Sequence, residues 1–174
     1  MKKIYIILTY TGTILSRIVR IYTKKEYSHV SISLDQDLTQ MYSFGRLNPY
    51  NPFIGGFVQE GIDKGTFKRF KKTKTKIYSL EITEEKYEQL ETIIEEIQKQ
   101  KNVYKFNIIG LLGVALNVKI KREKHFYCAE FVKYVLEQSN VLELPDPVKP
   151  EDFEQIENTN EIYKGILREY KNNN

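Results

Sequence analysis

The alternation of hydrophobic and polar residues predicts several strands along the chain. Residues 4–9 are rich in β-branched and aromatic side chains, which is typical of a buried strand. Polar and apolar residues alternate strictly over residues 28–34, which predicts a half-buried strand. Residues 40–44 follow a short polar turn and are the expected hairpin partner of that strand. Residues 76–82 and 161–170 complete the predicted strands.

Helical spacing of apolar residues appears in three other segments, residues 14–22, 83–97 and 128–138. The threonine that opens the second segment is expected to cap its helix, because a side-chain oxygen there accepts from a free backbone N–H. Residues 106–116 are strongly apolar and contain two glycines, so we expect a short buried helix. Residues 151–156, which follow three prolines, predict another short helix.

Strands and helices mix without a repeat or a linker, so residues 1–174 are expected to form one α+β domain. The strands are expected to pair mostly antiparallel. Residues 48–56 contain two prolines and two glycines and predict an irregular loop. Two alternatives remain open for residues 51–60, a mobile lid or substrate groove and a glycine-containing turn that leads into a strand.

Composition excludes several classes of protein. With 41% hydrophobic and 29% charged residues, the chain is unlike a disordered tail. No apolar run approaches the roughly 18 residues of a membrane-spanning helix. The apolar start of the chain is interrupted by threonines and arginines and lacks a small-residue cleavage site. The single cysteine cannot form an internal disulfide, which suits a reducing compartment, so we expect a cytoplasmic protein.

Charge is unevenly distributed around a net value of +4. The stretch Lys64–Lys76 is basic and contains no acid, and an acidic stretch follows it over residues 81–96. These stretches predict a solvated basic loop or edge strand followed by a solvated helix face. Weak contact of Lys64–Lys76 with an anionic surface is the alternative. A basic patch alone does not indicate nucleic-acid binding, and we do not expect it.

Cys128 lies at the predicted start of an amphipathic helix. Free N–H groups and the helix dipole at such a position favour a thiolate, which is the nucleophilic form of cysteine. The alternative is an inert cysteine on the inner face of the helix. Cysteine catalysis also needs a base beside the thiol, and His29 on the alternating strand is the first candidate. His125 is the second, but it is expected in a solvated loop.

Two segments of the chain resemble the circularly permuted papain-like amidases, namely residues 27–32, YSHVSI, and residues 127–132, YCAEFV. These amidases are bacterial relatives of the cell-wall cysteine peptidases and of the lecithin:retinol acyltransferase group. In the permuted class the histidine strand precedes the cysteine helix, as it does here. The resemblance extends over nearly the whole chain, from residues 4–8 to residues 162–165. It implies a permuted papain-like fold in which Cys128 and His29 form a catalytic pair.

The third catalytic residue is less obvious from the sequence. Related enzymes often place a glutamate or another polar residue on the strand after the histidine strand, where it orients the imidazole. If Leu34 faces Leu38 across the hairpin, His29 faces Ser43, which is therefore the matching position. Serine is not an acid, so the charged orienter of the relatives is in doubt here, and a hydroxyl would stabilise the imidazolium less.

Backbone and aromatic groups near the pair complete the candidate site. The N–H groups at the helix start, including that of Ala129, are expected to bind an oxyanion. Tyr27 and Tyr127 are candidates for lining the site or for donating to the oxyanion, and packed aromatic side chains are the alternative. The spacing of cysteine, histidine and acidic residues is unlike that of a metal site, and we expect neither a metal nor a cofactor.

The function expected from these residues is thiol-dependent hydrolysis of amide bonds, with a small peptide, a cell-wall fragment or a lipid-like amide as the substrate. A second possibility keeps the acyl-enzyme but transfers the acyl group to an acceptor or cleaves a lipid ester. A third is a binding module that retains the fold with little or no catalysis. The sequence does not distinguish these substrates and does not predict an oligomeric state.

Overall fold

The computed structural model describes residues 1–48 and 51–172. Its main feature is a six-stranded sheet in which all neighbours pair antiparallel, in the order β4-β3-β2-β1-β5-β8. The sheet strands are β1 (Lys2–Tyr10), β2 (His29–Ser33), β3 (Met41–Asn48), β4 (Asn51–Glu60), β5 (Lys74–Ile82) and β8 (Thr159–Ile166). Strands β6 (Lys105–Phe106) and β7 (His125–Phe126) form a separate parallel pair. The expected α+β class with an antiparallel sheet is confirmed.

Five α-helices accompany the sheet in the described residues. They are α1 (Ile14–Thr23), α2 (Gly65–Arg69), α3 (Glu84–Lys99), α4 (Ile108–Ala115) and α5 (Cys128–Gln138). The expected cap of α3 is confirmed, because the Thr83 hydroxyl accepts from the Lys86 backbone N–H at 3.3 Å. The short helix expected after the prolines is a 3-10 helix over Pro150–Gln155.

The sheet carries apolar cores on both faces. The larger core packs α3 and α5 against the sheet through buried side chains such as Leu90, Ile94 and Phe131. A smaller core on the other face gathers residues such as Tyr5, Ile7 and Met41 with Phe67 of α2. The prediction that β2 has a solvated face was therefore wrong, because its two serines at positions 31 and 33 are fully buried.

The β2–β3 hairpin has a different register from the one that the sequence suggested. Ile32 pairs with Tyr42 and Ser33 with Met41, so the strands are offset by two residues from the expected alignment. A shift of two residues keeps every side chain on its expected face, because side chains alternate with a period of two. Leu38 was expected to pair with Leu34 across the hairpin, but it lies before β3, adopts a left-handed conformation with φ 54° and packs in the smaller core.

The irregular loop expected over residues 48–56 is also wrong where the structure describes it. Asn48 ends β3, and residues 51–56 belong to β4, which pairs with β3 through Gly45 and Gly56. Pro49 and Tyr50 lie outside the described residues. The second alternative for residues 51–60 is right about the strand but wrong about the turn, because Gly55 and Gly56 lie within β4. Gly55 is required there because a Cβ would lie 2.8 Å from Cγ of Phe106, which packs across the strand.

Two further expectations, for the basic stretch and for the apolar segment 106–116, are wrong about which side chains are buried. The basic stretch Lys64–Lys76 contains the short helix α2, whose Phe67 is buried, rather than a loop or strand alone. Helix α4 forms within the apolar segment, but it is not buried, since 60% of Leu112 is exposed. None of the helices in residues 1–48 and 51–172 is long and apolar enough to cross a membrane.

Candidate active site

Cys128 is the first residue of α5 and lies at the edge of the larger core. Only 6% of the residue is exposed, and the next residue, Ala129, is fully buried. Phe131 holds this end of the helix against the sheet through aromatic contacts with Phe44 and Phe57, at ring-centroid distances of 5.3 and 5.7 Å. The first N–H groups of a helix have no partner within it, so those at Cys128 and Ala129 are suited to bind an anion.

His29 begins β2, the strand that α5 packs against. Its backbone pairs with Thr9 of the central strand β1, which fixes the position of the imidazole. The Cys128 side chain interacts with the imidazole strongly enough to raise the pKa of His29, and both residues line one cavity. The two residues expected to form the catalytic pair therefore lie close together, although 99 positions of sequence separate them.

A carboxylate lies on the other side of the imidazole. Oε2 of Glu60, the last residue of β4, lies 3.2 Å from Nε2 of His29. Only 20% of the His29 side chain and 11% of the Glu60 side chain are exposed, so solvent screens this interaction weakly.

Ser31 and Gly45 support the histidine–carboxylate contact. The Ser31 hydroxyl donates to Glu60 Oε2 at 2.6 Å, which holds the carboxylate in place. A Cβ at Gly45 of the intervening strand β3 would lie 3.4 Å from His29 Cε1 and 3.7 Å from Glu60 Oε1. Glu60 therefore reaches His29 across a position where β3 presents no side chain.

The electrostatics of this group favour a protonated imidazole. Burial alone would lower the pKa of His29, but the Glu60 carboxylate and the hydrogen bond to Cys128 raise that pKa to about 10. The imidazole therefore holds its proton at neutral pH, beside the Cys128 side chain. This is the arrangement that a cysteine nucleophile requires.

The three residues line a small cavity of about 70 Å³. Pockets that enclose whole small-molecule ligands usually measure about 300–1,000 Å³, so this one has room only for the reacting end of a substrate. Its wall combines hydroxyl-bearing and apolar side chains, which are Thr11, Thr13, Ser16, Ser28, Val19, Phe44, Phe67, Phe106 and Leu111. Arg46 also lines the cavity and places its guanidinium 5.4 Å from the centre of the Phe70 ring. Burial lowers the pKa of Arg46, but an arginine remains charged at any ordinary pH.

Ser43 does not contact the imidazole, contrary to its expected position. Its hydroxyl is fully buried and donates to the Val30 carbonyl oxygen at 2.7 Å. The two-residue shift of the hairpin is the reason, because it brings Gly45 rather than Ser43 beside His29. The group that is hydrogen-bonded to the imidazole is Glu60, which the sequence interpretation missed.

A signal for Glu60 was nevertheless present in the sequence, because it is the only acidic residue between positions 38 and 62. An isolated acid in a segment whose only other charged residue is Arg46 is a candidate for a specific partner. Recognising it required β4, and the sequence interpretation placed most of that strand in a loop. Glu60 was therefore missed because the strand that ends with it was not predicted.

The remaining predicted site residues divide into two groups. Ala129 follows Cys128 at the helix start, as the oxyanion expectation requires. Tyr27 and Tyr127 are packed aromatic residues, which was the alternative expectation. Tyr127 donates from its hydroxyl to the Val148 carbonyl at 2.8 Å, and burial raises the pKa of its phenol. Burial likewise raises the pKa of Tyr27 to about 12.

His125 is separate from the catalytic pair. Its Nδ1 lies 2.7 Å from the Glu123 carbonyl oxygen in the segment before α5, and it is absent from the wall of the cavity. Among residues 1–48 and 51–172, no group of three or more histidine, cysteine, aspartate or glutamate side chains is arranged to hold a metal ion. No protein-family model matches the chain, and no curated protein matches it either.

Proposed function

We propose that the chain is a cysteine hydrolase of amide bonds with a circularly permuted papain-like fold. The observation that carries this proposal is that Cys128, His29 and Glu60 line one small cavity, with the imidazole hydrogen-bonded to the Glu60 carboxylate and close to Cys128. The order of histidine strand and cysteine helix, and the resemblance of residues 27–32 and 127–132 to the permuted amidases, support it. Glu60 takes the role of the charged orienter that the sequence interpretation could not identify.

The contacts of the site are suited to each step of such a reaction. The proton shared by the Cys128 thiol and the His29 imidazole lies on His29, and the thiolate sulfur attacks the carbonyl carbon to form a C–S bond. The N–H groups at the start of α5 stabilise the negative charge that develops on the carbonyl oxygen. His29 then donates the proton to the amine as the C–N bond breaks. Water, deprotonated by His29, finally hydrolyses the thioester and restores the thiol.

The substrate is expected to be a small peptide, a cell-wall fragment or a lipid-like amide that enters by one end. The volume of about 70 Å³ supports this size limit, since the rest of any larger substrate has to remain outside. Acyl transfer or cleavage of a lipid ester is a second candidate function. The apolar side chains Val19, Phe67 and Leu111 in the cavity wall favour it, because they suit the start of an acyl chain. A reducing, cytoplasmic location stays a prediction from the single cysteine.

Alkylation by iodoacetamide tests the proposal directly, because Cys128 is the only cysteine in the chain and every adduct reports on it. We expect the native protein to react readily at about pH 6.5, where an ordinary thiol with a pKa near 8.5 is only about 1% ionised. In His29→Ala the proton acceptor is lost, and we expect the alkylation rate at this pH to fall at least about tenfold.

The matched control for that experiment is His125→Ala, which removes the other histidine of the chain. Because His125 is bonded to a backbone carbonyl outside the cavity, its loss is expected to leave the alkylation rate unchanged. Equal rates in the native protein and in His29→Ala, or a slow native reaction at pH 6.5, would overturn the catalytic proposal. The fold of each variant is checked by its thermal unfolding midpoint.

A further inference from the structure

Most of the exposed large apolar side chains lie on three segments around the mouth of the cavity. Of eleven such side chains in the described residues, eight belong to helix α1, to the β3–β4 hairpin, and to helix α4 with the residues that follow it. We call these eight residues the apolar rim. They are Ile21, Leu47, Ile54, Ile108, Ile109, Leu112, Leu116 and Val118.

The cavity itself shows that these segments are neighbours. Val19 of α1, Arg46 of β3, Gly55 of β4 and Leu111 of α4 all line its wall. Helices α1 and α4 also contact each other directly. The elements that carry the apolar rim therefore meet at the wall of the candidate active site.

The same segments are positively charged. Residues 11–25 contain four lysine or arginine residues, residues 45–59 contain one, and residues 104–122 contain four, and none of these ranges contains an aspartate or glutamate. Lys119, one of the nine, forms an ion pair with Asp146. A surface that combines exposed apolar side chains with cations matches the interfacial region of a bilayer that contains anionic lipid.

We propose that the apolar rim docks onto an anionic lipid membrane, with the entrance of the Cys128 cavity facing the bilayer. Helix α4 has eight residues and is about 12 Å long, so it is suited to lie in the interface and not to cross a hydrocarbon core of about 30 Å. A second copy of the chain is a poorer occupant, because a symmetric contact would place the cationic segments of the two copies against each other. An anionic bilayer complements both the apolar and the charged parts of this surface.

This surface differs from the basic stretch Lys64–Lys76. Several cations of that stretch are already paired within the protein, for example Lys74 with Glu26 and Lys76 with Glu154. The stretch also lacks the exposed apolar side chains that the rim provides. We therefore expect contact with an anionic surface at the apolar rim and not at the basic stretch in α2 and β5.

Flotation with lipid vesicles tests the proposal on the full chain. We expect the native protein to float with vesicles of equal parts phosphatidylglycerol and phosphatidylcholine, and to bind pure phosphatidylcholine vesicles at least about tenfold more weakly. The double variant Leu112→Glu/Leu116→Glu is expected to lower binding to the anionic vesicles at least about tenfold. Both side chains are largely exposed, at 60% and 78%, so the fold is expected to remain intact.

Two matched controls separate the rim from the rest of the surface. Ile162→Glu makes the same kind of change at an exposed position of β8, where 38% of the residue is exposed, and should leave vesicle binding unchanged. A second comparison removes lysine charges without introducing acidic residues. Lys24→Gln/Lys25→Gln should weaken binding about thirtyfold, at roughly 1 kcal/mol for each lysine near the membrane, whereas Lys71→Gln/Lys72→Gln should not.

Three results would overturn the proposal. They are a native protein that binds neither type of vesicle, a Leu112→Glu/Leu116→Glu variant that binds like the native protein, and an Ile162→Glu variant that loses binding equally. A native dimer that this double variant dissociates, without any vesicle binding, would assign the surface to a second copy instead. Vesicle binding does not require the thiol chemistry, so the docking proposal and the hydrolase proposal can fail separately.

Discussion

Helices α4 and α5 show how different the roles of two apolar segments can be in one small protein. Helix α4 consists only of apolar residues and glycines, yet Ile108, Ile109 and Leu112 are substantially exposed. Helix α5 contains glutamates and a lysine, yet seven of its eleven residues are buried. Hydrophobic content alone therefore does not predict which helix is part of the core.

Neighbouring elements decide the difference. Helix α5 packs against β2, β3 and α3, and its polar residues are also bonded within the protein. Glu130 accepts from the Tyr127 backbone N–H at 3.2 Å, and Lys133 donates to Asp146 at 2.7 Å. Helix α4 contacts α1 and reaches the larger core with Val114 and Leu111, but its exposed apolar side chains, among them Leu112 at 60%, face outward. One helix thus holds a reactive group at a fixed position, and the other is left as a surface.

Substitution of the proposed nucleophile should give the largest effect. We expect Cys128→Ser to abolish formation of an acyl adduct, because a serine hydroxyl is far harder to ionise beside the same imidazole. The measurement is mass spectrometry of the intact protein after incubation with p-nitrophenyl acetate, an activated acyl donor. Stability should change little, since the side chains are almost the same size. Adduct formation in the serine variant would contradict the role of Cys128.

The contrast between the two helices can be measured with a pair of truncations. Phe131→Ala on α5 should lower the free energy of unfolding by about 3–5 kcal/mol, because it removes a fully buried ring from the cluster with Phe44 and Phe57. Leu112→Ala on α4 should change it by no more than about 0.5 kcal/mol. Urea denaturation followed by circular dichroism gives both values. Similar losses in the two variants would mean that α4 belongs to the core after all.

The periodic segments of the sequence predicted most of the fold. Helix α5, the cap of α3 and strands β1, β2 and β5 all lie where the apolar pattern indicated. The pattern failed where exposure depends on tertiary neighbours, as in α4 and on the second face of β2. It also failed at β4, because prolines and glycines in residues 48–56 are usual signals of a loop and say nothing about an adjacent strand.

The site was predictable to a similar extent. Position at a helix start and on an alternating strand made Cys128 and His29 candidates, the resemblance to the permuted amidases made them a pair, and the structure places both at the wall of one cavity. Glu60 was missed because side-chain alternation fixes the face of a residue but not its register. Alternation cannot distinguish two registers that differ by two residues, and this difference places Gly45 rather than Ser43 beside the imidazole.

The pH dependence of stability gives the next smaller effect. Because the pKa of His29 is raised to about 10 in the folded protein, the native state binds a proton that the unfolded state releases above about pH 6.5. This contribution is fully present below about pH 6.5 and is lost as the pH rises through about 10, so stability should fall across that window. In Glu60→Gln the attraction that raises the pKa is removed, and we expect the fall to shrink by on the order of 2 kcal/mol.

Urea denaturation of the native protein and Glu60→Gln at several pH values between about 6.5 and 9.5 measures this difference. Glu81→Gln is the matched control, because its carboxylate is exposed and lies on β5 away from His29. Its pH dependence should equal that of the native protein. The same slope in Glu60→Gln and in Glu81→Gln would show that Glu60 does not hold the proton on His29.

The two serines beside the site give the smallest and most discriminating comparison. Ser31→Ala removes the hydroxyl that donates to Glu60, and we expect the alkylation rate of Cys128 at about pH 6.5 to fall about threefold to tenfold, because the carboxylate is held less well. Ser43→Ala leaves that network intact and removes only a buried hydrogen bond to the Val30 carbonyl. It should cost about 1 kcal/mol of stability and leave the alkylation rate unchanged. The reverse result, a slower reaction in Ser43→Ala and a native rate in Ser31→Ala, would return the orienting role to Ser43 and remove it from Glu60.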